Sequence, residues 1–229
     1  RVSGCFSSPR PGEIGDVHDA KGVEVVPLAC GAGHSALITK EGQLWTWGSN
    51  CKGQCGRRLG GTAMPGPIHD LSPLKLIAAA CGAAHTLALT EGGQIYSFGL
   101  NTTGQLGNGA DSAEPSPTPL PVAISAGIVC VRIACGEEFS AAVTADGRLL
   151  TWGFGGCGQL GHGNTNSLKR PKQVPCESVA QVACGMGHVI ARTLRGGVLY
   201  WGYTGEGRRW ETCTCTCTCT CTCTCTCTC

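Results

Sequence analysis

The sequence predicts an all-β fold made of β-propeller blades, each a four-stranded antiparallel sheet. Two observations carry the prediction. One phrase occurs four times, starting at Cys30, Cys81, Cys135 and Cys184, at intervals of 51, 54 and 49 residues. A period near fifty marks supersecondary units that bury their apolar faces only against one another. Within each period, short apolar runs alternate with Gly-bearing turns, and no capped helical stripe occurs. Composition agrees. The 36 glycines in 229 residues supply tight turns, and 14% charged residues is well below the roughly one quarter usual in globular domains.

Counting from each Cys, the four copies align without gaps through position +23. The first clear strand ends at a Thr (+9), as in Ser35–Thr39 and Thr86–Thr90. A Gly turn follows: Lys40-Glu41-Gly42, Glu91-Gly92-Gly93 and Ala145-Asp146-Gly147. Such clusters between apolar runs read as hairpin connections, because Gly tolerates positive φ. The next strand covers Gln43–Trp47, Gln94–Phe98, Arg148–Trp152 and Gly197–Trp201. Its positions +14, +15 and +17 are large and apolar, so it has no wet face and calls for sheets on both sides. A Gly-Gln loop then closes the compact part, and a Pro-bearing linker leads to the next unit: Pro65/Pro67, Pro115/Pro117/Pro119/Pro121 and Pro171/Pro175. Proline belongs in connections and on sheet edges, since it donates nothing to a ladder.

The expected organisation is residues 1–26 as the end of a preceding repeat with its linker, 27–207 as four repeats, and 208–229 as a low-complexity tail. From Thr212 the tail is nine Thr-Cys dipeptides. Strict alternation places every Cys on one face of a strand, and composition alone makes no core. The expectation is a disordered segment, or the translation of a short nucleotide repeat after loss of the reading frame. Of the ten cysteines before the tail, Cys30, Cys81, Cys135 and Cys184 are in phase, one per repeat, which suits small buried thiols rather than a disulfide framework. Cys55 fills the slot held by Leu106 and Leu160, so it reads as a core substitute. The free thiols point to the cytoplasm or nucleus.

The phrase Ala29-Cys30-Gly31, His34-Ser35, Gly42, Leu44, Trp47-Gly48-Ser49-Asn50, Gly53-Gln54, Gly56, with three copies in register, resembles the repeat of the regulator of chromosome condensation family. The resemblance covers about Pro9 to Gly207. It implies an incomplete arc of a seven-bladed propeller, and so a fragment with an open arc. It also implies a protein-interaction or regulatory module. The alternatives are a guanine-nucleotide exchange factor for a small GTPase, as in the founding member, and the recruiting part of a ubiquitin ligase or kinase. Exchange in that member relies on an inserted wedge, and no interval here leaves room for an insertion above about five residues.

The recurring His34, His85 and His188 invite a catalytic or metal reading. Blades would hold them apart, whereas a metal needs ligands converging at about 2 Å, and Phe139 occupies the slot in the third copy. They are expected to be structural, each bonding the loop backbone beside the aromatic of its own blade: Trp47, Phe98, Trp152 or Trp201. No Ser-His-Asp pattern, phosphate loop or zinc spacing is present. No catalytic, cofactor or metal residue is therefore assigned. A net charge of +2 with short basic clusters makes a poor nucleic-acid or chromatin surface, and no apolar run is long enough for a membrane span. What differs between copies is the third loop, where Glu137, Glu138 and Phe139 replace small residues and His. Loops on a rigid scaffold are where binding residues concentrate. These three are the candidate contacts for a protein partner, the acids suiting a basic one.

Overall fold

Strands begin within a residue of where the sequence places them. The computed structural model describes residues 25–57, 62–110, 113–203, 209–216 and 224–228. The expected end of a preceding repeat falls outside these residues except for its last two positions. The first sheet has β1 (Val25–Cys30), β2 (His34–Thr39), β3 (Leu44–Gly48) and β4 (Gly66–Pro67). The second has β5 (Leu76–Cys81), β6 (His85–Thr90), β7 (Ile95–Gly99) and β8 (Ser116–Pro121). The third has β9 (Cys130–Cys135), β10 (Phe139–Thr144), β11 (Leu149–Gly153) and β12 (Leu168–Gln173). The fourth begins with β13 (Val179–Cys184), β14 (His188–Thr193) and β15 (Val198–Tyr203). Each sheet is an antiparallel meander in chain order.

The fourth strand comes from the proline-bearing linker. Pro67 lies in β4, Pro117, Pro119 and Pro121 in β8, and Pro171 in β12. An outermost strand needs its N–H groups on one side only, which is where proline is tolerated. In the fourth sheet this position is filled differently. β16 (Arg209–Thr216) pairs with β15, and β17 (Thr224–Thr228) pairs with β16. Over residues 209–216 and 224–228 the backbone is extended. A Thr-Cys alternation has the period of a strand and a β-branched residue at every second position.

First strands line the inside of the arrangement. β1 lies against β5, β5 against β9 and β9 against β13, and each also packs on the second strand of the preceding sheet. No comparable packing joins the first sheet to the fourth among the described residues, so the blades form an open arc. The core lies in the seams. Ile38, Leu44 and Leu76 pack with Phe98, Leu87 and Leu89 with Trp152, and Phe139 and Leu149 with Trp201. β6 and β10 are buried along their whole length, as two covered faces require.

Two glycine columns make the seams possible. At +18, Gly48, Gly99, Gly153 and Gly202 have φ near +100°, a region closed to most side chains. A Cβ on Gly153 would lie 2.7 Å from the Glu138 carbonyl oxygen. At +26, Gly56, Gly107 and Gly161 sit directly on the rings of Phe98, Trp152 and Trp201 of the next blade. The Thr at +9 closes each hairpin: its hydroxyl accepts the N–H of Gln43, Gln94, Arg148 or Gly197.

Candidate functional site

His34 and His85 bond across the seams rather than within their own blades, unlike the sequence expectation. His34 Nε2 is 2.8 Å from the Thr86 hydroxyl, and His85 Nε2 is 3.0 Å from that of Ser140. Each hydroxyl donates onward to a backbone carbonyl of the preceding blade, Thr86 to Gln54 at 2.8 Å and Ser140 to Gln105 at 2.9 Å. With the hydroxyl proton committed, the imidazole Nε2 must be the donor. Nδ1 then carries the lone pair, and it is buried without a partner in both rings. Burial holds both imidazoles neutral, pushing His34 down to about 4 and His85, further opposed by His34, to about 3.

The indoles complete the seams. Trp152 Nε1 donates to the Gln105 carbonyl and Trp201 Nε1 to that of Gln159, both at 2.9 Å. Phe98 has no such donor, and there Thr86 alone serves the Gln54 carbonyl. Between the third and fourth blades the polar pair is gone from both sides. Phe139 stands for His and Val189 for the hydroxyl residue, and they share one apolar cluster. Phe139 is 0% exposed. It is thus a core residue and offers no surface to a partner, contrary to its place among the candidate contacts. Trp47 and His188 lie half-buried on the outermost blades of the arc, His188 with its ring 5.6 Å from that of Tyr200.

Glu137 and Glu138 do reach a surface. The loops carrying them join blade to blade through backbone bonds: Ala83 N–H to the Glu137 carbonyl at 3.0 Å, and Glu137 N–H to that of Met186 at 3.2 Å. A second set ties each loop to the end of its third strand. Phe154 N–H donates to the Glu138 carbonyl at 2.9 Å, and Tyr203 N–H to that of Gly187 at 2.8 Å. The result is a cleft of about 460 Å³ on the seam between the third and fourth blades, lined by Glu137, Glu138, Phe154, Gln159, Met186 and Tyr203, among others. No hydrogen bond or ion pair engages either carboxylate among the described residues. Met186 is 62% and Tyr203 38% exposed.

Sequence reasoning found the acids and missed the walls. Phe154 and Tyr203 share column +19 with Ser49 and Leu100, so the signal was a change from small or aliphatic to aromatic in the last two copies. Among the described residues no group of three or more His, Cys, Asp or Glu is placed to hold a metal ion. Cys55 is fully buried in its leucine slot, and Cys51 lies exposed with its sulfur 3.6 Å from the Ser49 hydroxyl. No helix among the described residues is long and apolar enough to cross a membrane.

Radial four-stranded meanders, seams closed by a repeated phrase and a loop face with one decorated cleft define a repeat-built β-propeller protein. The Regulator of chromosome condensation (RCC1) repeat matches residues 41–89, 92–143 and 146–192, and a second form of that repeat matches 25–54, 77–105 and 130–159. The chain belongs to the RCC1 repeat family. It is 41% identical over 167 residues to Protein RCC2 homolog of Xenopus laevis, covering 70% of this chain and 32% of that protein. It is 40% identical over 154 residues to the human E3 ubiquitin-protein ligase HERC2, covering 66% of this chain and 3% of that protein. Among solved structures, human WBSCR16 superposes with a TM-score of 0.72 at 27% identity, covering 81% of this chain and 50% of that one. Prp20p of Saccharomyces cerevisiae, described with its binding properties to Gsp1p and histones, gives a TM-score of 0.71 at 26% identity, covering 80% and 46%. The chain thus spans a third or less of these curated relatives and about half of these solved chains. By this kinship the chain is a run of RCC1-type propeller repeats.

Proposed function

We propose that the arc is a non-catalytic protein-binding module, acting in the cytoplasm or nucleus, whose partner docks on the loop face at the seam between the third and fourth blades. The observation that carries this reading is the cleft. It is the place where the repeated scaffold departs from its own pattern on both sides, with Glu137 and Glu138 facing Met186 and Tyr203. Its backbone is pinned to both neighbouring loops, so a partner would meet a preformed surface. The kinship with RCC2 and with Prp20p supports a protein partner.

A guanine-nucleotide exchange factor for a small GTPase is the second reading, favoured by the likeness to Prp20p. A recruiting part of a ubiquitin ligase is the third, favoured by the likeness to HERC2. Affinity capture with the chain and with its E137A/E138A variant tests the first. Loss of a reproducibly captured partner is expected, and unchanged capture overturns the loop-face assignment. Nucleotide release from a panel of small GTPases then separates the first two readings. The module reading expects no acceleration, and a dose-dependent acceleration replaces it with exchange.

A further inference from the structure

We infer that the cleft between the third and fourth blades takes one arginine side chain from an extended segment of the partner, an inference that rests on the interaction-module reading. The sequence columns that line the cleft, +2, +3 and +19 of two neighbouring blades, recur at every seam. Between the first and second blades they hold Ala32, Gly33, Ser49, Ala83, Ala84 and Leu100, with no charge and no ring. Between the third and fourth they hold two carboxylates, two aromatic rings and a methionine. A guanidinium is planar and cationic. It stacks on aromatic faces and forks onto a carboxylate, which a compact, strongly hydrated ammonium does less well. Phe154 and Tyr203 supply rings, and Glu137 and Glu138 supply oxygens that no group of the protein engages among the described residues.

A further group at the cleft points to the backbone of the incoming segment. Gln159 is 1% exposed and lines the cleft. Its Oε1 accepts the Cys157 N–H at 2.9 Å. In the first blade the corresponding Gln54 donates its Nε2 to the Ser49 hydroxyl at 3.2 Å. Phe154 stands in that serine's column and offers no acceptor. Leu100 causes the same loss in the second blade, and there Gln105 Nε2 is left buried with no partner. At Gln159 the amide instead borders the cleft, in position to donate to a carbonyl of a bound chain. Acids for the side chain and an amide donor for the main chain together fit a peptide better than a free cation.

The test uses the full chain and three fluorescein-labelled peptides of the form Gly-Ala-X-Ala-Gly, with X as arginine, lysine or citrulline, followed by fluorescence anisotropy. Citrulline keeps the shape of arginine and removes its charge. The arginine peptide is expected to bind at least tenfold more tightly than the citrulline peptide and severalfold more tightly than the lysine peptide. E137Q/E138Q is expected to weaken arginine binding at least tenfold. F154L is expected to narrow the preference for arginine over lysine while leaving a salt-dependent attraction. Equal binding of arginine and citrulline peptides, no binding of either, or undiminished binding by E137Q/E138Q overturns the inference. Partner capture is scored separately, so loss of arginine recognition with capture intact sinks this inference alone and leaves the module reading standing.

Discussion

At the scale of single residues the seams make this protein sensitive to acid. His34 and His85 are neutral donors whose folded pKa values, about 4 and about 3, lie below the usual 6.5. Between those values the unfolded chain binds protons that the folded chain refuses. Stability is therefore full above about pH 6.5 and falls as pH drops from there towards the folded values, by up to roughly 1.4 kcal/mol per pH unit for each ring. The third seam supplies the control, since Phe139 and Val189 do the same packing without a titrating group. H85F/S140V copies that pair into the second seam, and Trp152 still serves the Gln105 carbonyl. Thermal unfolding from pH 7.5 to 4.5 should show a shallower pH slope for H85F/S140V than for the parent. An unchanged slope would place the proton uptake elsewhere. The repeated His column itself was legible in the sequence. Its bonding partner was not, because the partner lies about fifty residues away, on the neighbouring blade.

At the scale of the element, the end of each third strand is closely crowded by the loop before the second strand. Gly153 has φ +99°, with the Glu138 carbonyl and Phe139 Cα crowding the space a Cβ would take. Substitution must both occupy a disfavoured backbone region, at about 1–3 kcal/mol, and push the loop away. G153A is thus expected to destabilise by about 3 kcal/mol or more in urea unfolding and to distort the cleft. A loss below about 1 kcal/mol would show that the loop yields freely. The Gly columns and the hairpins were readable from spacing alone, since turns are local. The fourth strands were less so. Proline argued for a linker, and a linker it is, but one that also pairs at an outer edge. Phe139 misled for a related reason. A large residue at a variable loop position reads as a contact, and only the seam's geometry shows it turned into the core.

At the scale of the whole molecule, the main packing among the described residues joins each blade to its neighbours, so stability is shared along the arc rather than held in one centre. β6 and β10 are covered on both faces, whereas β14 alternates buried and open positions, with Ile190 44% exposed. Hydrogen exchange should therefore slow from the ends of the arc towards its middle. Amides of β6 and β10 are expected to be at least tenfold better protected than those of β14. Equal protection throughout would mean that the four sheets open as one unit.

The seams also carry an address. A blade whose leading residue is His must be followed by one offering a hydroxyl, and a blade with Phe by one offering an aliphatic side chain. Transplanting the fourth blade behind the second would bring His85 against Val189 and leave an imidazole N–H stranded in an apolar wall, at a cost of about 1–3 kcal/mol. Placing a hydroxyl blade behind Phe139 would deprive the hydroxyl oxygen of its imidazole donor, while its O–H could still serve the preceding blade's carbonyl. Sheets built from one repeated phrase are thereby made non-interchangeable, and the order of the modules along the arc is written in single atoms at their shared edges.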